Sequence, residues 1–86
     1  MSNVVKNINI FEAIDLVKEY LDYQAYYYSI IKVEYREDKK DYKFDIIETL
    51  SGGEDKFSLY VNERSNGDIL NEYNLAVNRE QFVFEK

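Results

Sequence analysis

The chain has 86 residues, a net charge of −6, and neither cysteine nor histidine. That length makes one domain with a small core. The composition excludes disulfides, thiolate or imidazole metal sites, and the histidine base that nucleophilic catalysis most often uses.

At 45% apolar the chain is too hydrophobic to read as disordered. Nine Tyr and five Phe must supply much of the core, since each such ring buries roughly 150–250 Å². The charge is uneven. Residues 1–43 carry seven basic against eight acidic residues, whereas residues 44–86 carry four against nine. An acidic surface repels phosphate backbones and anionic lipid, so neither direct nucleic-acid binding nor membrane binding is expected. A protein partner suits the sign, a basic one best; the same charge also keeps a small domain soluble. The opening Met-Ser-Asn-Val-Val-Lys shows no basic stretch followed by an apolar one. No apolar run approaches the roughly 20 residues that span a bilayer, so the expected location is cytoplasmic.

In chain order, Val4, Val5 and Ile8 suggest a lead-in strand. Ile10, Ala13, Ile14, Val17 and Leu21 then follow helical spacing, with Glu12, Asp15, Lys18, Glu19 and Asp22 on the other side. Asn9 followed by Glu12 is a variant capping box, which predicts a helix over about residues 9–24. One apolar stripe requires a layer to lie against. Tyr20, Tyr23, Tyr26, Tyr27 and Tyr28 come next. Tyr20 and Tyr27 are candidates to pack over the helix–sheet corner; Tyr23, Tyr26 and Tyr28 are candidates for an exposed aromatic patch. Tyr is enriched at binding hot spots because its rigid ring offers area with few torsions to freeze. Base stacking is disfavoured by the acidity.

From Ile31 onward the period is two. Ile31, Val33 and Tyr35 share one parity, then Tyr42, Phe44 and Ile46, then Phe57, Leu59 and Val61, then Tyr73, Leu75 and Val77 beyond Ile69. Charged residues 37–41 and Ser-Gly-Gly-Glu-Asp at 51–55 mark turns, with Gly52 and Gly53 able to take positive φ. Asn66-Gly67 marks a third hairpin connection, with a bulge or a longer loop. Phe82-Val83-Phe84 is an edge strand or a docked tail. The predicted fold class is α+β: one N-terminal helix packed on a four-stranded antiparallel meander sheet, a two-layer sandwich in a single domain, 1–86.

No catalytic, cofactor or metal residues are expected. Ser51-Gly52-Gly53 lacks the nucleophile-elbow pattern, no phosphate cradle with a Lys occurs, and the calcium-loop pattern is absent. Of the carboxylates, Glu37, Asp38, Glu54 and Asp55 lie on wet turns, and Glu48 shares parity with Phe44 and Ile46 at a strand end.

Two stretches carry a resemblance. Ile10-Phe11-Glu12-Ala13-Ile14-Asp15-Leu16-Val17 resembles the opening helix of PepSY-type domains, and Tyr60 to Leu70 resembles their closing motif. Ile31 to Asp38 with Asp41 to Glu48 looks like the gas vesicle accessory protein GvpO. The Asn74-Leu75-Ala76-Val77-Asn78-Arg79 end departs from the Arg- and Tyr-rich end of that family. Both resemblances imply a non-enzymatic role: regulation of a partner in one, assembly support in the other.

The expectation is a small non-enzymatic protein-binding module that modulates or assembles a partner. The sheet face away from the helix would carry the contacts, through Ile30, Ile47, Tyr60 and Leu70, adjoined by Tyr23, Tyr26 and Tyr28. A homodimer through this face or through an edge strand is the simplest use of such residues. The alternative is a phage-type acidic inhibitor, anti-CRISPR-like, filling the basic groove of a nucleic-acid-processing enzyme. Glu48, Glu54, Asp55, Glu63, Asp68 and Glu72 would form its acidic patch.

Overall fold

The computed structural model describes residues 4–25 and 27–79. Its elements are β1 (Lys6–Asn7), α1 (Ile10–Gln24), β2 (Tyr28–Arg36), β3 (Asp41–Leu50), β4 (Gly53–Asn62) and β5 (Arg64–Ser65). The class is α+β. β2, β3 and β4 form an antiparallel three-stranded sheet in that order, and β1 pairs antiparallel with β5 in a small second sheet.

α1 begins as its sequence directs. The Asn9 side chain accepts the Glu12 backbone N–H at 2.9 Å, and the Glu12 carboxylate accepts the Asn9 N–H at 2.9 Å. Such a cap is worth about 1 kcal/mol. Ala13, Val17 and Leu21 are buried on the inner stripe, with Ile10, Ile14, Leu16 and Tyr20 packed beside them. The helix stops at Ala25, which turns to extended backbone while its N–H still bonds the Leu21 carbonyl.

Opposite this stripe, β3 alternates. Tyr42, Phe44 and Ile46 are buried toward α1. They stand opposite Val61, Leu59 and Phe57 of β4, and Ile8 and Ile69 close the same core. Each fully buried side chain of this size stabilises by about 1.5–3 kcal/mol. The Tyr42 hydroxyl donates to the Ile8 carbonyl at 3.0 Å, so this buried polar group has a partner.

Several expectations need correction. Residues 69–77 do not form a fourth strand. Leu70 alone pairs with Tyr60 on the outer edge of β4, through two 2.8 Å backbone bonds, and Ala76 then bridges Leu70. The turn between them is held by the Asn71 side chain, which accepts the N–H groups of Tyr73 and Leu75, and by Asn74 at φ 66°. Those side chain–backbone bonds compete with a ladder and win over so short a segment. Tyr73 and Leu75 are accordingly exposed.

Around Asn66-Gly67 only Gly67 has positive φ. Its N–H bonds the Ser65 hydroxyl, and the Asp68 N–H bonds the Asn66 side chain. The stretch 60–70 is a polar corner carrying the chain from β4 back to the edge of β4. The lead-in strand is Lys6–Asn7, with Val4 and Val5 exposed and Ile8 buried. Of the two glycines at 52 and 53, only Gly53 has positive φ. Tyr26 and Phe82-Val83-Phe84 lie outside the described residues.

The largest correction concerns β2. The pairing with β3 slips between Ile30 and Lys32, so Ile31 is an extra residue opposite no partner. Before this bulge Ile30 stands opposite Ile46, and after it Val33 stands opposite Phe44. Ile30 therefore packs against the core and Ile31 is exposed, the reverse of the expected parity. One inserted residue is enough to exchange the faces.

Candidate functional site

α1 covers one face of the three-stranded sheet, and among the described residues no second helix covers the opposite, open face. It is assembled from alternate residues of β2, β3 and β4. Lys32 stands opposite Asp45, Glu34 opposite Lys43, and Arg36 opposite Asp41. Across the other seam, Tyr60 stands opposite Lys43 and Lys56 opposite Ile47. Opposite charges at directly facing positions stabilise a sheet pair by roughly 0.2–1 kcal/mol each.

A cluster of side-chain bonds on this face lies beside the β2–β3 turn. Arg36 forks onto Asp41, Nε to Oδ1 and the second guanidinium nitrogen to Oδ2, both at 2.8 Å. The Asp41 side chain is only 9% exposed and that of Arg36 28%. The guanidinium also lies over the Tyr60 ring, 4.7 Å from its centre. A planar donor fork suits both partners, which an ammonium could not match. Donating to the Asp41 carboxylate raises the Arg36 pKa further. Leu70 joins Tyr60 from the β4 edge. Arg36, Asp41, Tyr60, Leu70, Glu72 and Asn74 help line a surface cleft of about 390 Å³. Farther along, the Ser58 hydroxyl donates to Asp45 at 2.9 Å. Ile31 lines a second shallow depression with Lys56 and Glu72.

The expected contact residues divide. Ile47, Tyr60 and Leu70 are half-buried on the open side. Ile30 is not among them, because the bulge turns it to the core. Tyr28 also packs against the core, and its hydroxyl donates to Asp22 of α1, which raises its pKa. Tyr23 is exposed, but on α1, in the other layer. Tyr27, a candidate for the corner, is 72% exposed, whereas Tyr20 packs on the core as expected.

The acidic residues are not gathered into one patch. Glu48 faces Asp55, and Glu54 faces Thr49, at the end of the β3–β4 hairpin. Glu63 accepts from the Tyr35 hydroxyl at 2.7 Å. Asp68 holds Arg79 through two bonds of 2.8 and 3.0 Å. Glu72 sits by the cleft. The sequence reading missed the Arg36–Asp41 pair. Its signal was present: opposite charges immediately flanking a turn face each other across the hairpin.

Among the described residues, no helix is long and apolar enough to cross a membrane, and no group of three or more Asp or Glu is placed to hold a metal ion. No protein-family model matches the chain, and neither a curated protein nor a solved structure does.

Proposed function

We propose that the protein is a small non-enzymatic protein-binding module that modulates or assembles a partner, and that the open sheet face is its contact surface. The observation that carries this reading is the build of that face. It is laddered by paired strands, and it leaves Tyr60, Leu70, Ile47 and Ile31 reachable between paired charges. A pre-ordered surface loses little conformational freedom on binding. The aromatic and arginine groups stacked at its turn end are of the types that dominate binding energy. The likeness to PepSY-type domains and to GvpO points to the same class of role.

The test is affinity capture from host lysate with the wild-type chain and with Ile47→Glu. A partner held by the former and lost by the latter is the expected result. A partner held equally by both removes the open face from consideration.

A second reading has one observation in its favour. Glu48 faces Asp55 near the tip of the β3–β4 hairpin, with Glu54 on the opposite face of the same end, and such an acidic end would enter a basic groove of a nucleic-acid-processing enzyme. Binding of that kind weakens steeply with salt, because exposed charge pairs are screened. Capture insensitive to salt, and to reversal of these three charges, would exclude it.

A further inference from the structure

The outer edge of β2 has no strand partner among the described residues; β2 contains no proline, and past the bulge at Ile31 its residues Lys32 to Arg36 keep regular register with β3. Such an edge offers a row of backbone donors and acceptors to another strand. A lysine on the edge is a common guard against pairing, and Lys32 would serve as one. Here, however, Glu34 lies two residues on and forms an ion pair with Lys32 at 3.4 Å. The guard is thereby neutralised for an incoming strand that presents the inverse order of charge.

β2 itself presents that order when a second copy runs antiparallel to it. A two-fold axis perpendicular to the sheet restricts the choice of register. Centred on Lys32 it sets Lys32 against its own copy, and centred on Glu34 it sets Glu34 against its own copy. Centred on Val33, it sets each Lys32 opposite the Glu34 of the other chain, twice over. The charge alternation already present in the sheet then continues across the seam. Asp45 and Lys43 of β3 are followed by Lys32 and Glu34 of β2, and these by Glu34 and Lys32 of the second copy.

We infer that the chain forms a homodimer through antiparallel pairing of β2 with β2, in the register centred on Val33, giving a continuous six-stranded sheet. This inference is independent of the function proposed above. The open face remains open in each copy and is doubled in area. An edge seam is a small interface, so the dimer is weak and concentration-dependent.

Sedimentation of the full chain across a concentration series at low salt tests this, together with cysteine cross-linking. The wild type is expected to shift from monomer to dimer as concentration rises. Lys32→Glu replaces two attractions by two repulsions at the seam and is expected to weaken the dimer by roughly tenfold or more, with circular dichroism confirming that the fold persists. The chain contains no cysteine, so a single introduced one can bridge only to a second copy. Val33→Cys places two sulfurs at the axis, and oxidation should trap the dimer far faster than with Lys18→Cys on the exposed side of α1. The inference is overturned by a chain that stays monomeric throughout. A dimer indifferent to Lys32→Glu overturns it too, as does cross-linking no faster at 33 than at 18. None of these results bears on capture by Ile47→Glu.

Discussion

The two faces of β3 are held by different physics. Tyr42, Phe44 and Ile46 on the covered face are nearly solvent-free and packed under α1. Between them, Asp41, Lys43 and Asp45 on the other face stand opposite charges on β2. The first set stabilises by removing apolar area from water, which needs no particular partner. The second stabilises only through specific geometry, and its members remain wet except at Asp41. Stability thus resides mainly on one side of the sheet, and chemical variety is free to accumulate on the other.

The sharpest way to break the comparison is to attack the covered face. Phe44→Ala leaves a cavity at the centre of the core. It should cost about 3–5 kcal/mol in urea unfolding, much of the stability of a domain this size. A cost near that of a surface substitution would mean that the two faces do not differ. On the open face the largest effect is expected at Asp41→Ala, which strands the Arg36 guanidinium. Because Arg36 retains some solvent, the cost should be about 1–3 kcal/mol. A value above that of Phe44→Ala would invert the ranking of the faces.

Tyr35 refines the contrast at the seam. Its ring lies 5.1 Å from that of Tyr42 on the covered side, yet its hydroxyl reaches Glu63. The hydrogen bond to Glu63, before all else, pushes its pKa up to about 12. A raised folded-state pKa stabilises fully below the unfolded value, ordinarily near 10 for Tyr, and the gain is lost as pH climbs through the folded one. Stability should therefore decline between pH of about 10 and about 12. Tyr35→Phe should flatten that part of the pH profile and, at neutral pH, lose the contribution of the hydrogen bond to Glu63. An unchanged alkaline slope in the variant would show that the bond is not kept in solution.

Much of the molecule was legible before any coordinates. The Asn9–Glu12 cap, the stripe of Ala13, Val17 and Leu21, and the three strands are all short-range patterns, and each formed. β2 nevertheless begins earlier, at Tyr28, and the expected 51–55 turn is shorter, with Gly53, Glu54 and Asp55 already in β4. The binding-face residues were less legible. Ile47 and Tyr60 followed from parity, because no irregularity intervenes between them and the core residues of β3 and β4; Leu70 reaches the same side only through its bridge to Tyr60. Ile30 and Tyr28 did not, because parity was counted from Ile31 without knowledge of the bulge beside it. The Tyr run offered no period by which Tyr27 could be told from Tyr20.

The order of residues alone determined the helix, its cap, the strand alternation and the sign of the surface, since all of these depend on neighbours within a few positions. Tertiary structure decided the rest: the slip at Ile31, the reduction of residues 69–77 to single bridges, and the dispersal of six acids over separate sites. Those outcomes depend on which strand lies alongside and in what register. Such competition between distant segments leaves no periodic trace in either one.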